Sequence, residues 1–69
     1  MKVIVNGEGR RLQTGATVAD VVCMLELGLE ARGVAVAVDG EVVPRGRWPV
    51  TVLAPEARIE VLGAIGGGR

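Results

Sequence analysis

Gly33-Val34-Ala35-Val36-Ala37-Val38-Asp39-Gly40-Glu41-Val42-Val43-Pro44 is the stretch that decides the fold. Residues 34–38 alternate valine and alanine, so three valines share one face of a strand and two alanines the other. Apolar side chains on both faces predict an interior strand. The small alanine face implies close approach by another element. Asp39-Gly40 reads as a turn, because both residues tolerate positive φ. Glu41–Val43 is then a short partner strand, which Pro44 ends.

Upstream, the pattern changes period. Thr17 followed by Asp20 resembles a helix N-terminal cap, with Asp in place of the commoner Glu or Gln. Val18, Val21, Val22, Leu25 and Leu29 follow at helical spacing, and this stripe should face a sheet. Gly28 reads as the helix stop. Cys23 and Met24 are packing or helix-flank residues, and no basic neighbour favours a thiolate. Earlier still, Lys2–Asn6 reads as a first strand, Asn6-Gly7 as a turn and Arg11–Thr14 as a short partner strand.

Downstream, Arg45-Gly46-Arg47-Trp48-Pro49 reads as a connecting loop. Trp48, the sole aromatic residue, covers one end of the core. Arg45 and Arg47 are read as solvated. Residues 50–53 form a short strand or a single turn, and Ala54–Ala57 another turn. Arg58-Ile59-Glu60-Val61-Leu62 alternates as a half-buried strand should, with Ile59 and Val61 inward. The order β-β-α-β-β-β defines an α+β domain. One main helix lies across a mixed sheet of four to five strands, with the first and last strands side by side in its centre. The domain spans residues 1–62, and residues 63–69 form a flexible glycine-rich tail.

Composition excludes much chemistry. The 69-residue chain is one domain and buries about 60% of the surface its unfolded form exposes. That leaves little room for an internal cleft. There is no His, Ser or Tyr and one cysteine, Cys23. Ser–His–Asp and Cys–His catalysis are therefore impossible, as is a zinc site built from the usual ligands. No catalytic residue and no metal ligand is assigned. One cysteine forms no internal disulfide, which fits a reducing cytoplasm. Formal net charge is zero and Lys2 is the only lysine, so nucleic acid is not an expected partner. The longest apolar run, 34–38, is too short to span a membrane.

Gly63-Ala64-Ile65-Gly66-Gly67-Gly68-Arg69 carries neither strand nor helix pattern. A glycine run loses the most entropy on ordering, so this segment is expected to be mobile when free. Extended, seven residues reach roughly 23 Å, enough to enter a deep channel of another protein. Glycines also let a chain lie flat against a catalytic surface. The one distinctive group of such a tail is a terminal carboxylate, which is ionised at neutral pH. A carboxylate is a poor electrophile and needs activation, for instance by adenylation.

Four stretches resemble the ThiS family of sulfur carriers of thiamine biosynthesis. They are Val3-Ile4-Val5-Asn6-Gly7, then Thr17-Val18-Ala19-Asp20-Val21-Val22 with Leu25, then Gly33–Asp39 running into Val42-Val43-Pro44-Arg45 and Trp48, and finally Arg58–Leu62 leading to the Gly-Gly end. The Val-Val-Pro-Arg-x-x-Trp stretch is the most specific. The resemblance implies a ubiquitin-like β-grasp fold and a carrier that is not itself an enzyme. It also implies three kinds of partner. An E1-like, ATP-dependent adenylating enzyme of the ThiF type would activate the terminal glycine, a cysteine desulfurase relay would supply sulfur, and thiazole synthase of the ThiG type would consume it. No cofactor would be bound beyond a transient C-terminal AMP and the thiocarboxylate. By position, Gly68 would carry both groups, while Gly66, Gly67 and Gly68 would thread the partner's active site.

One departure stands out. Family members end at the second glycine, whereas Arg69 follows Gly68 here. Three explanations are open: removal of Arg69 by a protease, which is favoured, tolerance of Arg69 by the activating enzyme, or a copy that is inactive or serves another purpose. Leu62 and Ile65 are candidate docking residues on the sheet side of the tail. Related carriers serving molybdopterin, cysteine or thiosugar synthesis share the tail, as does a ubiquitin-like modifier or binding module. Pro44-Arg45-x-x-Trp48 favours the thiazole branch.

Overall fold

A computed structural model of the chain describes residues 1–25 and 33–63. Its elements are β1 (Lys2–Val5), β2 (Glu8–Arg11), α1 (Val18–Met24), β3 (Val34–Val38), β4 (Glu41–Val43), a 3₁₀ helix (Arg45–Val50) and β5 (Arg58–Gly63). They form one five-stranded sheet in the order β2-β1-β5-β3-β4. β1 and β5 run parallel, and the other pairs are antiparallel. The first and last strands are therefore neighbours at the centre, as the element order implied.

The two predicted two-residue turns shape both hairpins. Asn6 and Gly7 have φ of 51° and 84°, and Asp39 and Gly40 have 51° and 87°. Positive φ at both central positions gives a turn whose twist matches that of the strands it joins. Pairing therefore resumes at once, with Val5 opposite Glu8 and Val38 opposite Glu41. This corrects the expected second strand. It is Glu8–Arg11, not Arg11–Thr14, and its apolar pattern is absent because it is an edge strand with a charged rim.

The helix begins as its cap predicts. The Thr17 hydroxyl accepts a hydrogen bond from the Asp20 amide (3.3 Å), and the Asp20 carboxylate accepts one from the Thr17 amide (2.9 Å). Asp is short, yet it closes this capping box. The segment after the 3₁₀ helix then ties the helix start down. Val18 donates to the Thr51 carbonyl (3.0 Å) and Leu53 to that of Ala16 (2.9 Å). The expected strand or turn at residues 50–53 is thus the end of the 3₁₀ helix followed by an isolated bridge, Thr17 to Val52. Thr17→Ala removes one half of the box and should cost about 1 kcal/mol. In a domain this small that lowers the melting temperature by about 4–8 °C. An unchanged melting curve would show that the box is not what fixes the helix start.

The core lies between the sheet and α1. Val3, Val5, Val36, Ile59 and Val61 come from the sheet, Val18, Val21 and Val22 from α1, and Trp48, Leu53 and Ala57 from the connections. The expected loop at Arg45–Pro49 is instead wound into the 3₁₀ helix, which turns the Trp48 ring inward. Trp48 is buried, and its indole N–H donates to the Val43 carbonyl (2.9 Å). Arg45 is not simply solvated, because its guanidinium carbon sits 5.4 Å from the Trp48 ring centroid. Gly28 and Leu29, read as helix stop and helix stripe, lie outside the described residues.

Candidate functional site: the end of β5 and the open sheet face

The tail follows β5, so the placement of β5 determines where the tail begins. β3 pairs with β5 along its whole length, from Val38 opposite Ile59 to Val34 opposite Gly63. The strand thus runs one residue further than its sequence alternation showed. On its other side β1 reaches only as far as Val5 opposite Ile59. Side chains from the two hairpin turns secure the two ends. Near the start, the Arg58 amide donates to the Asp39 carboxylate (3.0 Å) and the Asp39 amide to the Arg58 carbonyl (2.8 Å). Near the exit, the Val61 amide donates to Asn6 Oδ1 (2.9 Å) and Asn6 Nδ2 to the Val61 carbonyl (3.3 Å).

Register sorts the residues of the open face. Ala35 pairs with Leu62, and Ala37 with both Glu60 and Val42. Leu62 is 70% exposed and Val42 74%. Together with Ala35 and Ala37 they form an apolar strip with a low alanine floor beside the exit of β5. The alanine face was expected to lie against another element. Among the described residues none covers it, and Ala35 is exposed. Across the sheet, Lys2 pairs with Arg11 and Ile4 with Arg58, so this half of the open face is cationic. A Cβ at Gly9 would lie 3.0 Å from Lys2 Cε, so glycine there lets the lysine lie across β2.

Of the residues assigned from sequence, Leu62 is where it was expected. Ile65, Gly66, Gly67, Gly68 and Arg69 lie outside the described residues. The sequence did not single out Val42 as part of the strip, though its alternation with half-buried Val43 could have done so. It read Asn6 only as the end of a strand and the start of a turn, because its partner lies 55 positions away.

The rest of the described surface offers little chemistry. A groove of about 320 Å³ is lined by Leu12, Gln13, Thr14, Gly15, Ala16 and Asp20. Its one carboxylate is engaged by the Thr17 amide. Cys23 is exposed on α1. Among the described residues no three His, Cys, Asp or Glu side chains gather as metal ligands, and no helix is long and apolar enough to cross a membrane.

Comparison with known proteins bears on the whole chain. A family model described as the ThiS family matches residues 3–68. The crystal structure of thiamine biosynthesis protein ThiS from Geobacter metallireducens superimposes with a TM-score of 0.78 at 27% identity, covering 99% of this chain and 100% of that one. A solution structure of a thiamine biosynthesis protein from the same organism gives 0.76 at 27% identity, covering 100% and 90%. Two curated relatives are thiazole synthases. That of Paramagnetospirillum magneticum is 34% identical over 99% of this chain, and that of Magnetococcus marinus 36% over 100%. The chain spans only 20% and 21% of their respective lengths.

Proposed function

The chain belongs to the ThiS family, and from that premise we propose that it carries sulfur, as a C-terminal thiocarboxylate, to thiazole formation in thiamine biosynthesis. The observation that carries this reading is the extent of the family match, which continues past the folded domain through Gly68. The β-grasp sheet supports it by supplying a rigid base for the segment that bears the chemistry.

The steps follow from carboxylate chemistry. A ThiF-type enzyme joins the Gly68 carboxylate to the AMP of ATP, releasing pyrophosphate. The acyl carbon becomes electrophilic because AMP is a good leaving group. A persulfide from the cysteine desulfurase relay attacks it and displaces AMP. A second thiol attacks the relay sulfur of the resulting acyl disulfide, forming a disulfide with the relay cysteine and releasing the Gly68 thiocarboxylate. Beyond the Gly68 carboxylate, whose oxygen attacks the α-phosphorus of ATP, the chain supplies no acid, base or nucleophile to these steps and acts as a co-substrate. Arg69 follows Gly68, so exposing the Gly68 carboxylate requires hydrolysis of the Gly68–Arg69 bond.

A thiazole synthase of the ThiG type is the proposed acceptor. In the relatives, a segment like this chain is part of a protein that is itself a thiazole synthase, which supports that pairing. It also favours thiazole over molybdopterin, cysteine or thiosugar products. Transient AMP and the thiocarboxylate are the only attached groups, and the reducing cytoplasm is the fitting compartment for the free Cys23 thiol.

Docking to both enzymes is assigned to the strip of Ala35, Ala37, Val42 and Leu62, extended by Ile65 along the tail. Exposed apolar surface beside the reacting segment is what such a contact uses. The test is ATP-dependent pyrophosphate release by the adenylating enzyme, with the processed chain as acceptor. Leu62→Asp should melt within a few degrees of wild type, since surface substitutions change stability by about 0.5 kcal/mol or less. Its turnover at low carrier concentration should fall about tenfold or more, as removal of an interface anchor does. No pyrophosphate release with the wild-type chain would refute the carrier reading. Normal turnover by the Leu62 variant would refute only the docking strip.

A further inference from the structure

We infer that Asn6 is a positioning residue for the tail, its side-chain amide serving as one further rung of the parallel β1–β5 ladder. The inference rests on the carrier function proposed above.

The geometry carries it. β1 follows β5 through Val5 opposite Ile59, and the Asn6 amide still donates to the Ile59 carbonyl (2.9 Å). There the chain turns away, because Asn6 adopts φ 51° to enter the β1–β2 turn. Without a replacement, the Val61 N–H and C=O would have no partner on the β1 side. The Asn6 side chain supplies both groups that the next strand residue would have supplied, an acceptor at 2.9 Å and a donor at 3.3 Å. A primary amide is the short side chain that offers one of each. Asparagine is also a non-glycine residue that enters the left-handed region at little cost. Both demands fall on this one position.

The consequence lies two residues further on. Val61 is followed by Leu62, the exposed residue of the docking strip, and by Gly63, where the ladder with β3 ends. With Asn6 in place, β5 is held from both sides up to Val61, so its last residues leave the sheet in one direction. Without it, β5 is held beyond Ile59 only by β3. The tail would then start from a strand end free to swing about that single ladder. A partner that grips the open face would meet Gly68 in fewer productive orientations. The chemistry of the seated tail would be unaltered, so the effect belongs in KM rather than kcat.

Asn6→Gly separates the two roles, because glycine keeps the turn at positive φ and removes only the side-chain amide. Asn6→Asp keeps the acceptor for the Val61 N–H and loses the donor. Both variants are made as the full chain and carried through the same processing as wild type. Amide exchange of Val61 should accelerate roughly tenfold in Asn6→Gly, while exchange of Val5 and Val36 moves far less. KM for the carrier in adenylation should rise about three- to tenfold at unchanged kcat. Asn6→Asp should recover part of both. Unfolding of a substrate raises its apparent KM at unchanged kcat, so the carrier concentration is corrected for the folded fraction measured by circular dichroism at the assay temperature, and a purely structural role leaves no rise in KM after that correction. Unchanged Val61 exchange, or accelerated exchange with an unchanged KM, overturns the inference. Absence of any turnover with the wild-type chain is instead the failure of the carrier reading, and the exchange result stands apart from it.

Discussion

Trp48→Ala is expected to abolish cooperative thermal unfolding. Trp48 is the largest side chain of the core and is only 2% exposed. Truncating a buried tryptophan costs about 3–5 kcal/mol through lost transfer energy and the cavity left behind. A single core in a chain of this size supplies about 3–5 kcal/mol in total, so nothing remains to hold the native state. The loss also leaves the Val43 carbonyl without the indole N–H. Trp48→Phe distinguishes the two contributions. It refills much of the volume but not the hydrogen bond, and should destabilise by about 1–3 kcal/mol. The check is far-UV circular dichroism against temperature. A sharp transition near the wild-type temperature for Trp48→Ala would show that the sheet–helix core stands without its cover.

Gly68→Val is expected to leave folding untouched and remove function. The last described pair of the sheet ladder is Val34 with Gly63, five positions earlier, and the melting curve is expected to overlay that of wild type. At the reacting carbon the effect is different. In the proposed role, a β-branched side chain would hinder attack on the acyl group and fill space in a partner channel suited to glycine. Misplacement of a reacting atom by about 1 Å already costs about a hundredfold in rate. Thiocarboxylate formation in a mixture of adenylating enzyme, desulfurase relay, ATP and cysteine should therefore fall by at least that factor. Formation at the wild-type rate would remove Gly68 from the proposed role. The two substitutions are complementary, since one destroys the scaffold and the other only the group it presents.

The sequence revealed most where a single local rule decides. The Val34–Val38 alternation, the Asn6-Gly7 and Asp39-Gly40 turns and the Thr17–Asp20 cap all act within a few residues, and the structure bears them out. The misses share a different cause. Glu8–Arg11 is a strand because a two-residue turn delivers it against β1, not because its own residues favour one. Arg45–Pro49 became helical because burying Trp48 demands it, although Pro44, Gly46 and Pro49 punctuate the stretch like a loop. The alanine face looked like a packing surface and proved to be the floor of an exposed strip. One strand's pattern does not say which face the helix takes.

The site divides in the same way. Leu62 was legible as a residue next to the tail, and it is 70% exposed. Chemistry alone pointed to a terminal carboxylate, and Gly68 was assigned to it through the resemblance of the Gly-Gly end to the ThiS family. Asn6 was read as a strand end and turn residue and not as a partner of β5, because its hydrogen bonds to Val61 arise only when the chain ends come together. The split of the open face into an apolar strip and a cationic half around Lys2, Arg11 and Arg58 likewise needs the strand order.

The central claim is that Gly68 bears the sulfur, and the intact mass of the protein drawn from the cell that makes it tests this most directly. Cells are grown where thiamine must be synthesised, and the protein is isolated without reductant or alkylating agent. The predicted result is a species ending at Gly68, lacking Arg69, with one carboxylate oxygen replaced by sulfur. Fragmentation should place the sulfur on the terminal glycine rather than on Cys23. A protein that carries no sulfur beyond its own cysteine and methionines under those conditions, whatever its last residue, would contradict the account.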